Sequence, residues 1–381
     1  MARPDVVVLG LGPAGRALAG RLAAQGARVL AVDPRPERRW HQTYGGWLHQ
    51  LPGWLPPEVV GAIAPRTELR GHGRHRLLDS YLVLDTAALQ QALRLDGVEV
   101  RSGAVDLAGA AALAPVVVDA RGSWPVGEGR APASVPVQTA HGVALEPDDA
   151  ACVLAGADAV LMDWRPYHGG AGWGSEPASF CYVIPLPDGR VLAEETCLAG
   201  APPLTPDLLQ ARLSERLARH GVDPAAVAAA PSERVWIPLL AAARPAGTNR
   251  FGAGGHQLNP VSGYSVMASL RSADAAARSL LQHGKLPRTP RGTRALRVTA
   301  LRAVTRLGGD QTMELFDAFG RLGAERQTDV LDPAADAPRL LAALGSQAGR
   351  MRPHHFPGLV RATAGGLTPG ASTDHDQPRG R

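Results

Sequence analysis

The stretch DVVVLGLGPAGRALAG, close to the N-terminus, constrains the fold of this chain more than any other part of it. A continuous apolar run, typical of a buried parallel strand, leads into a glycine turn and then a helical segment. This is the glycine spacing of a dinucleotide-binding turn, where the pyrophosphate meets the helix N-terminus. The residues predicted to hold the cofactor there are Gly10, Gly12, Pro13, Ala14 and Gly15. Asp33 ends the next strand, ARVLAVD, and is placed to accept hydrogen bonds from ribose hydroxyls, which favours FAD or NAD.

The amino-acid composition limits the classes of protein to which this chain can belong. The 381 residues suffice for two domains, and the net charge of +5 comes almost entirely from arginine. This basic excess suits anionic lipid or nucleic acid, but we find no nucleic-acid motif. The three cysteines form no CxxC pair, so we expect neither a disulfide framework nor a metal site. No apolar stretch reaches the roughly 18 residues of a membrane span. We therefore expect a cytoplasmic protein whose membrane contact, if it has one, is peripheral.

Two later segments decide between FAD and NAD. VVVDARG contains Asp119 and Gly122, and GAGGHQLNPVSGYS precedes a helix. The second segment supplies further cofactor candidates: Gly252, Gly255, Pro260, Gly263 and Tyr264. DARG alone is equally typical of an ordinary turn at a strand end. In order with the N-terminal unit, however, these segments resemble the three separated parts of the FAD-binding family that includes flavin hydroxylases and carotenoid-type enzymes. The resemblance implies FAD.

The expected fold class is α/β. We predict a discontinuous Rossmann-type FAD-binding domain over 1–125 and 236–285, and a β-sheet substrate domain over 126–235. Residues 34–60 are rich in Pro, Gly and Trp and are predicted to be loop, and 36–80 is expected to contribute to the substrate domain. A helical region should follow over 286–364. The Gly- and Pro-rich tail over 365–381 is predicted to be disordered.

Several further segments resemble the lycopene cyclase family. They are DPRPERRWHQTYGGW, MDWR, RVLAEETCL, NPVSGYSV and FDAFGRLGAERQ. Two features depart from the family: Leu48–Gln50 stand where an acidic pair is usual, and Ala193 replaces a larger apolar residue. The resemblance implies an FAD enzyme that works at the membrane surface and converts lycopene to cyclic carotenes without net redox change. It also implies a reduced flavin, for which NAD(P)H is a possible reductant.

The AEET segment carries the acids that such chemistry needs. Cyclisation begins with protonation of a terminal alkene, a very weak base. Glu194 and Glu195 are adjacent on a predicted strand, so their side chains point to opposite faces and only one can enter a pocket. From the family motif we expect Glu194 to be the essential acid, kept protonated by an apolar pocket that raises its pKa. Taken without the other motifs, both glutamates are more typical of solvated charges at a strand end than of catalytic acids.

Aromatic residues near these motifs are candidates for the pocket wall, since aromatic faces attract cations. We expect this role for Trp40, Tyr44, Trp47 and Trp164. The alternative is that tryptophans in a Pro- and Gly-rich segment only anchor it to the core. The segment TRALRVTALRAVTRL is a basic amphipathic helix that could lie on anionic lipid, or could turn its apolar face to the core.

The leading hypothesis is therefore an FAD-dependent isomerase of the lycopene β-cyclase type. An FAD-dependent reductase or monooxygenase acting on an isoprenoid or polyketide is the first alternative. A flavoprotein that only binds a carotenoid is the second. The sequence leaves open the exact polyene, whether one or both ends are cyclised, the ring type, and the oligomeric state.

Overall fold

The computed structural model describes residues 3–77, 79–124, 131–287 and 290–364. The strands within these ranges are β1 (Val6–Leu9), β2 (Val29–Asp33), β3 (Tyr44–Trp47), β4 (Val60–Ala64), β5 (Thr67–Arg70), β6 (Arg74–Leu77), β7 (Tyr81–Leu84), β8 (Val98–Ser102), β9 (Val116–Asp119), β10 (Val137–Leu145), β11 (Ala159–Asp163), β12 (Phe180–Pro185), β13 (Val191–Gly200), β14 (Ser232–Pro238) and β15 (Asn249–Arg250). The helices are α1 (Pro13–Ala24), α2 (Thr86–Ala92), α3 (Leu107–Leu113), α4 (Pro147–Leu154), α5 (Pro206–Arg219), α6 (Pro224–Ala229), α7 (Val266–His283), α8 (Arg291–Arg306), α9 (Gly309–Gly320), α10 (Ala324–Leu331), α11 (Ala337–Ala348) and α12 (Phe356–Ala364).

The first sheet is parallel and has the strand order β15-β9-β1-β2-β8. Every residue of β1 is buried, as expected for a central strand of a parallel sheet. Helices α1 and α7 pack together on one face, where Leu18, Leu22 and Leu270 join the same core, and α3 covers the other face. The predicted α/β class with a Rossmann-type unit is confirmed. Strand β15 and helix α7 join this unit from far along the chain.

The second sheet has the order β14-β10-β13-β12-β11-β5-β6 and is antiparallel except where β5 pairs with β11. One face packs against α4 and α5 around a core that includes Val183, Leu213 and Leu217. The other face looks toward a three-stranded sheet, β3-β7-β4, and toward the C-terminal helices. A space remains between these layers, and the candidate site lies there.

The segment over 34–60 is more ordered than the sequence predicts. Instead of a loop throughout, it contains β3 and the start of β4, and β5 and β6 follow within 36–80. The sequence YGGW does not predict strand β3, because glycine is depleted from strands. Here both glycines allow close approach: a Cβ on Gly45 would lie 2.4 Å from the Tyr81 hydroxyl, and one on Gly46 would lie 2.4 Å from Met267 Cγ.

The C-terminal helices cover the site from the side opposite the second sheet. In α8, the predicted basic amphipathic helix, Leu301 and Val304 are buried. Arg297 is buried too and donates hydrogen bonds to the Asp332 and Ala335 carbonyls. The apolar face of this helix therefore meets the core, which is the second of the two alternatives given above. Among the helices that the structure describes, none has the length and hydrophobicity needed to cross a membrane. The tail predicted to be disordered lies outside the described residues, as does the predicted domain border near residue 125.

Candidate active site

Close backbone contacts bring the first two glycine segments together. Gly10 has φ +91°, and a Cβ there would lie 2.9 Å from both the Ala120 carbonyl oxygen and Arg121 Cα. A Cβ on Gly15 would lie 1.9 Å from the Gly10 carbonyl oxygen. No side chain fits at either position, so the β1–α1 turn and the end of β9 form one compact surface.

The third glycine segment also packs closely against the other two. A Cβ on Gly252 would lie 2.6 Å from Ala14 Cβ at the start of α1, and one on Gly254 would lie 2.4 Å from the Gly122 carbonyl oxygen. Gly255 similarly meets the backbone of Arg250. The three segments that the sequence separates by more than 100 residues therefore lie side by side.

The start of α1 provides a cradle for an anion. Gly12 precedes this helix with no side-chain cap, and the first turn contains no acidic residue, so backbone N–H groups there are available to a ligand. Nothing lies within 4 Å of where a Gly12 Cβ would be, which leaves room above the turn. Asp33 borders the turn and accepts hydrogen bonds from Leu11 N (2.8 Å) and Arg35 N (2.7 Å). This arrangement fits the pyrophosphate and ribose of a dinucleotide.

Asp119 holds the second segment in place. Its carboxylate pairs with the guanidinium groups of Arg121 (2.9 Å) and Arg244 (2.8 Å). Although burial raises the pKa of Asp119, these arginines hold it below its ordinary value. Its side chain therefore stabilises the turn, and the contribution of this segment to a cofactor site is the backbone around Gly122.

A cavity of about 660 Å³ lies beside the glycine segments. This volume falls within the usual range for a small-molecule site. Its wall combines the second sheet, the β3–β7 pair, the turn before α7, and α9 and α10. Apolar and aromatic side chains dominate: among those lining it are Tyr44, Trp47, Leu161, Met162, Phe180, Leu192, Val261, Phe316, Phe319 and Leu331.

Two of the four aromatic residues expected in this wall are not there. Tyr44 and Trp47 line the cavity, as predicted. Trp40 is buried instead in the core around α1, with the Arg16 guanidinium 5.9 Å from its ring centre. Trp164 lies one layer behind the wall and stacks on Phe316 at 4.5 Å between ring centres. Those two predictions were wrong, because nearness to a motif in sequence does not determine which side of a core layer a side chain occupies.

The turn before α7 joins the cavity to the glycine segments. Asn259 N donates to the Tyr264 carbonyl (2.9 Å) and Gly263 N donates to the Asn259 carbonyl (2.8 Å), which closes the turn. Gly263 and Tyr264 thereby line the cavity, while Pro260 is buried behind them. Ser265 then begins α7 without a side-chain cap and without an acid in the first turn. The N-terminus of α7 therefore opens where the cavity and the third glycine segment meet.

Three tyrosine hydroxyls form a chain along the cavity. Tyr182 donates to Tyr81 (2.7 Å), and Tyr81 donates to Tyr264 (3.0 Å). Burial raises the pKa of each phenol above its ordinary value, so all three remain protonated. The Tyr81 ring also meets Trp47 edge-on at 5.4 Å. The missing side chain of Gly45 makes room for the hydroxyl of Tyr81.

Glu194 is the acid that enters this cavity. It lies on β13, is only 7% exposed, and accepts a hydrogen bond from Thr196 Oγ1 (3.0 Å). Burial and the nearby carboxyl of Glu233 raise the pKa of Glu194 to about 8. Glu194 therefore carries a proton at neutral pH.

Glu195 points to the opposite face, as the strand alternation predicts. It is fully buried against α5, where Arg216 donates to both carboxylate oxygens (2.8 and 3.0 Å) and Ser179 Oγ donates a third bond (2.6 Å). No part of Glu195 lines the cavity described above. The structure therefore separates this catalytic candidate from the cavity, because a buried ion pair fixes it in the layer between the sheet and α5.

Glu233 is the residue that the sequence reasoning missed. It lies on β14, lines the cavity, accepts a hydrogen bond from Thr43 Oγ1 (3.1 Å), and is hydrogen-bonded to Glu194. The available signal was the alternation in SERVWIP, which puts Glu233 on the same strand face as Val235 and Ile237. A single carboxyl group on an otherwise apolar strand face needs a hydrogen-bonding partner when it is buried. Here that partner is a second carboxyl group, that of Glu194.

Comparisons with known proteins show a sequence family and a fold. The sequence model of one family, described as lycopene cyclase protein, matches residues 5–333. An uncharacterized carotenoid cyclase of Deinococcus radiodurans is 32% identical over 387 aligned positions, covering 92% of each chain. The chloroplastic lycopene beta cyclase of Nicotiana tabacum is 26% identical over 306 positions, which span 73% of this chain and 60% of the plant protein. Among solved structures, a geranylgeranyl bacteriochlorophyll reductase-like protein from Thermoplasma acidophilum has the same fold (TM-score 0.57, 13% identity, 94% and 99% of the two chains covered).

Proposed function

Because the chain belongs to the lycopene cyclase protein family, we propose that it closes rings on an acyclic, lycopene-like carotenoid. The reaction is an isomerisation: a proton is added, a carbon–carbon bond forms, and a proton is lost, with no net redox change. The observation that carries the proposal is the buried carboxyl of Glu194 inside an apolar, aromatic cavity, where burial raises its pKa.

Glu194 starts the reaction as the general acid. A terminal alkene accepts a proton only from an acid that is held close to it and shielded from water. Burial keeps the proton on Glu194, and the hydrogen bond from Thr196 Oγ1 to Glu194 Oε1 holds the carboxyl in place. Proton transfer to the alkene leaves a carbocation, and a second double bond of the same polyene closes the ring on it.

The cavity wall protects and stabilises that cation. The rings of Tyr44, Trp47 and Tyr182 line the cavity and present π-systems, each worth about 0.5–2 kcal/mol toward a cation. They also exclude water, which would otherwise trap the cation as an alcohol. Tyr182 pairs in register with Glu194 on the neighbouring strand, so one aromatic ring stands beside the acid.

We propose FAD as the cofactor. The backbone around Gly12 and Ala14 would hold the pyrophosphate, and Asp33 would accept from the ribose. The Gly252–Gly255 segment and the N-terminus of α7 would border the flavin. When bound in its reduced form, FAD supplies negative charge beside the cavity and so stabilises a carbocation electrostatically. NAD(P)H is the proposed reductant.

We also propose that the substrate reaches the cavity from a membrane surface. The polyene dissolves only in lipid, and Trp236, which lines the cavity on the edge strand β14, is half exposed. Tryptophan is enriched at the interface between lipid and water. One end of the polyene would pass Trp236 into the cavity while the rest stays in the bilayer.

Expression in cells that accumulate lycopene tests the proposed activity. We expect cyclic carotenes with the same mass as lycopene in extracts that contain the wild-type chain. A product that gains oxygen or hydrogen would identify a monooxygenase or reductase instead. Unchanged lycopene that copurifies with the protein would identify a carotenoid-binding flavoprotein. Each of these last two results would overturn the proposal.

A further inference from the structure

Glu194 and Glu233 lie in one row across three strands. Gly142 on β10 pairs in register with Glu194 of β13 on one side and with Glu233 of β14 on the other. Residues that are paired in this way point to the same face of a sheet. A Cβ on Gly142 would lie 3.1 Å from Glu194 Cβ and 2.9 Å from Leu192 Cδ1. Glycine therefore leaves the space in which two glutamates from strands on either side of β10 can meet.

The two carboxyl groups form a pair that shares a hydrogen bond. Thr196 donates to Glu194 from one side and Thr43 donates to Glu233 from the other. Within the part of the chain that the structure describes, no cation is paired with either glutamate. Two adjacent carboxylates in an apolar cavity cannot both be ionised at low cost, so the pair retains a proton.

The surroundings make the two members of the pair different. Glu233 is more exposed than Glu194, and the hydrogen bonds from Thr43 and Glu194 favour its ionised form. Burial raises both pKa values, but that of Glu194 reaches about 8. The other titratable side chains in the wall are Tyr44, Tyr81, Tyr182 and Tyr264, with His41 and Arg234; Arg234 is directed to Asp207 (3.1 Å). Because Glu194 is the more deeply buried member, the proton of the pair is favoured on Glu194 and the negative charge on Glu233.

On the basis of the proposed function, we propose that Glu233 is the base that removes the proton from the cyclised cation and returns it to Glu194. The Glu194 O–H bond breaks as a C–H bond forms at the terminal alkene, and the ring C–C bond forms next. Glu233 then takes a proton from a ring carbon, and the electron pair of that C–H bond becomes the new ring double bond. Proton transfer across the shared hydrogen bond restores Glu194–H and the Glu233 carboxylate. No electron, proton or other reactant is gained or lost overall.

The geometry of the reaction suits a paired acid and base. The carbon that gains a proton and the carbon that loses one belong to the same six-membered ring. Two carboxyl groups in hydrogen-bond contact can therefore reach both positions while the substrate stays in place. Because the ring type depends on which proton leaves, the position of Glu233 also determines the ring that this protein makes.

The variant Glu233→Gln tests the assignment through two measurements that a purely structural residue would not affect. With purified, flavin-loaded protein and lycopene, we expect turnover to fall about 100-fold. The remaining product should be a mixture of ring types, since other bases replace Glu233. The alkaline limb of the pH–rate profile should move about one unit lower, since Glu194 loses its like-charged neighbour. Ser232→Ala, at the exposed preceding position of β14, is the matched control and should match the wild type.

A second variant keeps the test decisive if Glu233→Gln does not fold. Glu233→Asp retains the charge but is one methylene shorter, so it should also yield mixed ring types. If folded Glu233→Gln makes the wild-type ring in the wild-type proportion with an unmoved alkaline limb, or folded Glu233→Asp makes the wild-type ring in the wild-type proportion, Glu233 is not the base. Loss of activity in Glu194→Gln together with that result would leave the proposed function intact. If the wild-type protein makes no cyclic product, the proposed function itself is wrong.

Discussion

Glu194 and Glu233 come from the two strands that flank β10, and their carboxyl groups meet over Gly142. A pair of acids in a water-poor cavity has a cost in folding stability, and proteins retain such pairs mainly at functional sites. Here the pair lines a cavity that is also lined by Tyr44, Tyr182 and Gly263 of the third glycine segment.

Stability should depend on pH through Glu194. Between about pH 5 and 8 the native state keeps a proton on Glu194 that the unfolded state has lost, because the pKa of this group is raised to about 8 on folding. The free energy of unfolding should therefore fall as pH rises across this window, by up to about 1.4 kcal/mol per unit. In Glu194→Gln this slope should be absent, so the variant gains stability relative to wild type as pH rises.

Chemical denaturation at several pH values measures this effect. Glu58→Gln, at an exposed glutamate outside the site, is the control and should keep the wild-type dependence. Parallel curves for the wild type and Glu194→Gln between pH 5 and 8 would mean that Glu194 is ionised in the native state, contrary to its assignment as an acid.

The buried pair of Glu195 and Arg216 should matter for stability and not for chemistry. Glu195→Gln leaves the Arg216 guanidinium, 3% exposed, without its counter-charge. Removing one partner of a buried pair costs about 3–5 kcal/mol, so we expect a clear loss in the free energy of unfolding. Activity per folded molecule should stay near that of the wild type. Replacing both residues by Met should recover much of the stability; a stable but inactive Glu195→Gln protein would return Glu195 to the list of catalytic candidates.

The cofactor cradle can be tested with two glycines three residues apart. In Gly12→Ala the new methyl group enters open space, and the backbone φ of −69° suits alanine. We expect the protein to fold without loss of stability but to bind FAD about tenfold or more weakly, because the methyl occupies the place of the pyrophosphate. Gly15→Ala should instead destabilise the fold by about 2 kcal/mol or more, since its methyl collides with the Gly10 carbonyl.

Flavin fluorescence titration of the refolded proteins measures the first effect, and denaturation without flavin measures the second. Equal FAD affinity of the wild type and Gly12→Ala would show that the pyrophosphate does not lie above this turn. Such a result would leave the fold unaffected but would remove the basis for placing FAD at the α1 N-terminus.

The sequence predicted those features that local spacing determines. The glycine turn, the strand after it and the α1 helix follow from the pattern of residues 5–33, and the opposite orientations of Glu194 and Glu195 follow from strand geometry. The meeting of the three glycine segments could be expected only through the resemblance to FAD-binding proteins, because it depends on contacts between distant backbones.

Features that depend on pairing between distant strands could not be predicted from the sequence. Glu233 meets Glu194 because β10 pairs with both β13 and β14, and nothing local to Glu233 specifies that register. Trp40 and Trp164 were misplaced for a related reason: both are buried, but burial alone does not distinguish a core layer from a cavity wall. The short strand β3 was missed because its glycines serve close packing against Tyr81 and Met267.

Solvent labelling shows whether a proton from Glu194 starts ring closure. Purified protein with reduced FAD is equilibrated in D₂O and given lycopene for a single turnover. We predict a cyclic product with one deuterium per ring and no other change in composition, and at least a 1,000-fold loss of this product in Glu194→Gln, which should still bind FAD. A cyclic product without deuterium, or an active Glu194→Gln protein, would show that Glu194 is not the proton donor.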